Sequence, residues 1–317
     1  MNYKKLFSQF GPFLALFFVF FLFLLIAPKE FHSFYNIKTI LTQTVIVGIA
    51  ALGMTVIIIS RGIDLSAGSQ IALGTVITAL VLNINPASPP SLLAAFAAVG
   101  TCLVCGILTG IVVARFGIVP FIVTLGMMQI ARGFAKYLAK EQTVTTPENG
   151  LQKLMIIPAD DSWMIFAPGV WITIVLLILL TIILKYTVLG RYIFAIGSNE
   201  ETARLCGINV KFTKIIIYGL GSAFIGIASI MQYANLTVGD PTAANGMELD
   251  IIAAVVIGGG SLNGGEGTAM GSIIGALLMS VLRNGCNMLG VPNYVQEIII
   301  GFIIIGAVLV DKIRQKK

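Results

Sequence analysis

Charge is what this chain has least of. Only 11% of its 317 residues are Asp, Glu, Lys or Arg, while 57% are hydrophobic. A soluble domain averages about 25% charged and 45–50% apolar. So little charge cannot cover the surface of a soluble fold this size, and no polar stretch is long enough to build a core of its own. The chain therefore reads as one membrane domain, 1–317, all-α and polytopic. Histidine is nearly absent: His32 is the only one, and a multi-histidine metal site is excluded. Cysteine is scarce too. Cys102 and Cys105 lie in an apolar run without a neighbouring acid or histidine, so their spacing reads as packing rather than redox or metal chemistry. No Gly-Lys-Ser/Thr phosphate loop occurs, so the chain has no ATP site of that kind. The net charge of +6 sits at the ends of apolar runs, where it reports membrane orientation and not a nucleic-acid partner.

Long apolar runs are what is present. About twenty apolar residues cross a bilayer, and ten segments qualify as spans: near 11–27, 39–59, 66–84, 91–114, 118–138, 164–184, 213–233, 250–262, 268–286 and 294–310. The first follows Lys4 and Lys5 and lacks a small-x-small cleavage pattern, so it reads as a retained helix. The eighth is short and runs into Gly258, Gly259 and Gly260, which predicts a broken helix. Lys4, Lys5, Arg61, Arg115, the 185–214 segment and the tail cations Lys312, Arg314, Lys316 and Lys317 belong inside by the positive-inside rule. The acidic loop 140–163 belongs outside. Ten alternating spans with both termini cytoplasmic satisfy every placement. Among the 34 glycines, the pairs Gly106/Gly110 and Gly271/Gly275 allow helices to approach closely, within the chain or across a dimer. Arg61–Ser69 and Gly260–Gly267 form a weak internal echo, each joining a span to a Gly-rich one.

The polar island 185–214 is the most informative segment. Ser198 followed by Glu201 has capping-box spacing, Glu200 and Arg204 stand i,i+4 in the favourable order, and Gly207 supplies a helix stop. These signals predict a two-turn helix over 199–206. So short a helix is marginal alone and needs a brace.

At this point a resemblance becomes specific. Leu189-Gly-Arg-Tyr-Ile-Phe-Ala-Ile-Gly-Ser-Asn-Glu-Glu-Thr-Ala-Arg-Leu-Cys-Gly-Ile-Asn-Val210 resembles the cytoplasmic loop of ribose-type ABC transporter permeases. Gly53-Met-Thr-Val-Ile-Ile-Ile-Ser-Arg-Gly-Ile-Asp-Leu-Ser-Ala-Gly-Ser69 and Glu248-Leu-Asp-Ile-Ile-Ala-Ala-Val-Val-Ile-Gly-Gly-Gly-Ser-Leu-Asn-Gly-Gly265 resemble two further signatures of that family. Asn284-Gly-Cys-Asn-Met-Leu-Gly-Val291 and Leu309-Val-Asp311 agree with it. Arg61 departs from the pattern, which usually has Gly there.

The resemblance implies a permease subunit of a binding-protein-dependent monosaccharide importer in the bacterial plasma membrane, carrying a pentose or hexose such as ribose. It implies a second copy of the chain, a cytoplasmic ABC ATPase that holds the ATP and magnesium, and an extracytoplasmic sugar-binding protein. No cofactor is expected on this chain. Coupling to the ATPase falls to Ser198, Asn199, Glu200, Glu201, Ala203, Arg204, Leu205 and Gly207. Gly62, Asp64, Ser66, Gly258, Gly259 and Gly260 are candidates for a gate or hinge, with Asp64 equally readable as a helix cap. Arg132, Tyr233, Asn235, Glu248 and Asp250 are candidates for the solute path or for docking the binding protein. Arg132 can also snorkel to the lipid interface. An ion-coupled secondary transporter of a small polar solute stays open as an alternative: carboxylates near span ends count against a proton, while sodium held by carbonyls at a broken helix fits. A membrane enzyme finds no paired-carboxylate or Ser–His constellation to support it.

Overall fold

Residues 3–159 and 164–315 of the chain are described by a computed structural model. Asp160 and Asp161 of the predicted outer loop, and Lys316 and Lys317 of the basic tail, lie outside the described residues. Apolar runs become helices because a membrane offers the backbone no other hydrogen-bond partner than itself. Among the described residues twelve α-helices follow in order: α1 (Tyr3–Ile26), α2 (Phe34–Ile59), α3 (Ala67–Leu82), α4 (Ser91–Phe116), α5 (Pro120–Leu138), α6 (Pro168–Tyr186), α7 (Val188–Ser198), α8 (Glu200–Leu205), α9 (Val210–Leu236), α10 (Met247–Ile257), α11 (Ala269–Met288) and α12 (Asn293–Gln315). Each predicted span falls on one of them. Five, α2, α4, α6, α9 and α11, are long and apolar enough to cross a membrane. Local punctuation sets the ends. Pro120 and Pro168 open α5 and α6 at their first positions, and left-handed Gly117 closes α4.

Helix α2 is the axis of the bundle. Ile49, Leu52, Met54 and Ile57 to Ile59 are wholly buried in the main core, with Ile71, Ile225 and Ile251 around them. Two polar contacts fix α11 antiparallel to α2: Thr55 with Ser272 at 2.6 Å, and a reciprocal amide pair between Asn36 and Asn284 at 3.0 and 3.1 Å. The small-residue pairs work within the chain. A side chain at Gly106 would strike Tyr218 and Ser222 of α9, and one at Gly275 would strike the Ala254 carbonyl of α10.

The bundle has two distinct ends. Ile59, Gly197 and Gly265 meet at one, called here the Arg61 end. At the other, the Thr146 end, the two-residue strands β1 (Val144–Thr145) and β2 (Val238–Gly239) pair antiparallel. Asn83 donates to the Thr145 carbonyl there at 2.8 Å.

Candidate functional site

The polar island holds two helices, where sequence reasoning placed one. Thr187 caps α7 by accepting from the Gly190 N–H, and α7 absorbs Ser198 as its last residue. The capping box is therefore corrected: Asn199, not Ser198, caps α8, accepting from the Thr202 N–H at 2.9 Å. Both residue types cap well, and α7 decides between them. The predicted Glu200–Arg204 pair is also replaced. Glu200 binds Lys214 of α9 at 2.7 Å, and Arg204 instead approaches Glu201 at 4.0 Å. Gly207 does end the helix, at φ 84°.

Lys214 is the brace that so short a helix needs. A small apolar cluster completes it, in which Ala203 packs inward on Ile196 and Val210. Of the eight residues assigned to coupling, only Ala203 is buried; Glu201, Arg204 and Leu205 stand out on the open face, with Leu205 82% exposed. The exposed face of α8 thus carries a charged pair beside a bare leucine, on a helix held from behind.

Behind α8, three loops converge. A side chain at Gly197 would collide with the Ile59 carbonyl and the Gly265 N–H, and that N–H donates to that carbonyl at 2.8 Å. Arg61 closes the junction by donating from Nε to the Asn263 carbonyl. Its φ of 63° lies in the left-handed region that glycine adopts freely, so a glycine would sit there without strain. The two halves of the sequence echo thus touch each other at the foot of the 185–214 segment.

The gate candidates sit deeper. Asp64 and Ser66 are wholly buried. Asp64 is not the N-cap of α3. Ser66 holds that place without a side-chain cap bond, while Asp64 accepts from the Ser66 N–H at 2.8 Å and from its hydroxyl. Gln70 donates to the Ser66 hydroxyl at 2.7 Å. Gly62 packs under the Tyr218 hydroxyl of α9. As predicted, α10 ends at Ile257, and Gly258 to Gly260 turn the chain against α11, with Gly259 at φ 90°. A cavity of about 540 Å³ opens beside Gly258 and Gly259.

The path candidates form a second group. After β2 the chain does not stay at the Thr146 end. Gly239 lies on Thr75, Val76 and Ala79, and Ala244 and Glu248 reach Gly68. The segment 239–244 therefore descends alongside about 16 Å of α3, at 1.5 Å per residue, before α10 begins. Arg132 of α5 holds it by donating to the Pro241 and Ala243 carbonyls at 3.0 and 2.8 Å. This guanidinium is tied to backbone and does not snorkel. Glu248 and Asp250 thus lie within the bundle, not just outside it as the sequence suggested. Asp250 is buried and paired with Arg283 of α11 at 2.6 Å. Tyr233 faces no cavity: it is wholly buried and its hydroxyl meets Thr146 at 2.6 Å and Asn149 at 2.8 Å. Asn235 is exposed at the end of α9.

Sequence reasoning missed Arg283 and the descending segment. A signal existed for the first, since an ionisable residue inside an apolar span points to function or to a partner. None existed for the second, whose course depends on α3.

An all-α bundle of long apolar helices, with a broken helix and the half-buried Asp250–Arg283 pair, is the frame of a multi-pass membrane protein. Residues 36–308 match the family described as branched-chain amino acid transport system / permease component. The chain belongs to that family and is a multi-pass membrane protein. It is similar to the ribose import permease protein RbsC of Escherichia coli (strain K12), with 39% identity over 90% of this chain and 88% of the relative. The ribose import permease protein RbsC of Bacillus subtilis (strain 168) is 33% identical over 98% of this chain and 95% of its own. The L-arabinose transport system permease protein AraH of Escherichia coli (strain K12) is 33% identical over 99% and 94%. No solved structure matches the chain.

Proposed function

We propose that this chain is the membrane-spanning subunit of an ATP-driven importer for a monosaccharide, a ribose-like pentose or a hexose. Two copies form the pathway with ten spans each, the Arg61 end lies in the cytoplasm, and both termini lie there too. Separate ATPase subunits hold ATP and magnesium, and a binding protein delivers sugar to the Thr146 end, outside the bacterial plasma membrane. The chain performs no chemistry of its own.

One observation carries the coupling role. Helix α8 is fixed from behind by Lys214 and Ala203, yet offers Glu201, Arg204 and Leu205 to a partner. Its foot abuts Ile59 of α2 and Gly265 before α11 through Gly197. A push on α8 therefore reaches the central helix through backbone, without flexible side chains in between. The relatives named for ribose and L-arabinose support a sugar as the cargo.

Reconstitution in proteoliposomes tests the reading. Uptake should require the ATPase subunit and ATP, and an ion-gradient-driven uptake by the lone chain would overturn it. Glu201→Lys and Arg204→Glu should each leave folding intact, because both side chains are exposed. Each should separate ATP hydrolysis from uptake, lowering transported sugar per ATP by about tenfold, as the loss of about 1.4 kcal/mol at a docking contact would do. Normal stimulated uptake in both variants would remove α8 from the coupling path.

A further inference from the structure

The bundle exposes two kinds of surface along its length. Helices α4 and α6 turn Leu93, Phe96, Val104 and Leu108, and Trp171, Val175 and Ile178, outward, as helices against lipid do. Between α2, α10, α11 and α12 the lining is mixed instead, with polar and charged side chains set among Ile46, Val47, Leu249, Ile300 and Ile304. Gln43, Asn287 and Glu297 are exposed, and Glu248, Asp250 and Arg283 adjoin them around a cavity of about 770 Å³. Gln43 lies about 13 Å along α2 from Phe34, and Arg283 about 7 Å along α11 from Met288, at 1.5 Å per residue. The cavity therefore occupies the half of the bundle nearer the Thr146 end. Side chains of this kind at such depth face water or protein, not hydrocarbon.

The charges are unequal. Arg283 is committed to Asp250 at 2.6 Å, so it has no net charge to offer a ligand. Arg132 lies across the 241–243 carbonyls and offsets part of the charge on Glu248. Glu297 has no cation opposite it among the lining residues, so the cavity is acidic. Amide groups supply the complement. Asn287 already accepts from Gln296 at 2.8 Å through Oδ1, which leaves its NH₂ to donate, and Gln43 brings both a donor and an acceptor. Carboxylates that accept, amides that donate and no spare cation suit the hydroxyls of an uncharged polyol. They oppose an anion. The volume lies within the roughly 300–1,000 Å³ of small-molecule sites.

Building on the sugar-importer reading, we infer that this cavity is a resting site for an uncharged polyhydroxylated solute within the permease itself, and that its acidic lining rejects phosphorylated sugars. Specificity against anions then resides partly in this chain.

The test uses the full chain in lipid nanodiscs, with D-ribose and D-ribose 5-phosphate as probes and saturation-transfer NMR as the readout. Ribose should show transfer, and the 5-phosphate should show at least about tenfold less, an energy difference of about 1.4 kcal/mol. Gln43→Ala and Glu297→Gln, each checked for an unchanged unfolding temperature, should lower the ribose signal about threefold or more. Glu297→Lys should raise the 5-phosphate signal. Equal transfer from both probes, transfer from neither, or a ribose signal untouched by Gln43→Ala and Glu297→Gln would overturn the site. The two readings fail separately. ATP-driven ribose uptake without ribose transfer in nanodiscs removes the cavity and keeps the importer, whereas cavity-dependent transfer without ATP-driven uptake does the reverse.

Discussion

Arg61 carries two opposed effects in one residue. A non-glycine residue in the left-handed region costs about 1–2 kcal/mol, and Arg61 sits there at φ 63°. Its Nε bond to the Asn263 carbonyl works against that cost, at a strength reduced by the exposure of the side chain. The two effects separate by substitution. Arg61→Gly loses the bond and also the strain, while Arg61→Ala loses the bond and keeps the strain. Ala should therefore be the less stable of the two variants by about 1 kcal/mol, measured by thermal or denaturant unfolding in the same detergent. Equal stability would mean that the turn relaxes around any side chain.

At the scale of elements, α8 shows how far local sequence reaches. Its existence, its length and its stop at Gly207 were legible, because caps and helix-ending glycines act over three or four residues. Its brace was not legible. Lys214 stands fourteen positions beyond Glu200, and nothing local favours it over Arg204, one turn away. The cap is misassigned for a related reason: the eleven-residue α7, which the signals around 199–206 do not announce, takes Ser198 into its last turn. The same limit hid the path. The short eighth helix and its glycine break were visible as a run of apolar residues ending in Gly258. The descent of 239–244 along α3 has no periodicity to reveal it, and the Asp250–Arg283 pair joins residues on different helices. Asn199→Ala removes the α8 cap and should cost about 0.5–2 kcal/mol of local stability. Hydrogen exchange at 200–206 should speed up accordingly, with α9 unchanged, and unaltered exchange would assign the helix to its brace alone.

The whole molecule can be oriented by its own cysteines. Cys206 is exposed at the end of α8, Cys102 and Cys286 are buried, and Cys105 is half-buried within α4. A membrane-impermeant maleimide should therefore modify Cys206 in inverted vesicles and spare it in right-side-out ones. Labelling should slow when the ATPase subunit is bound, since Cys206 adjoins Leu205. Equal labelling from both sides, or labelling from the outside alone, would reverse the proposed orientation.

The Asn36–Asn284 pair has a further consequence, one for biosynthesis. Helix α2 leaves the ribosome long before α11, and 248 residues separate the two amides. In the interval Asn36 keeps its bond to the Phe31 carbonyl but lacks its amide partner on α11. The Ser272 that meets Thr55 is equally late. The helix that ends at the centre of the bundle is thus among the first made and among the last enclosed. A nascent chain cut short before residue 269 would lack both of these side-chain bonds between α2 and α11. Assembly is decided at the carboxyl-terminal end of the chain, long after its axis has entered the bilayer.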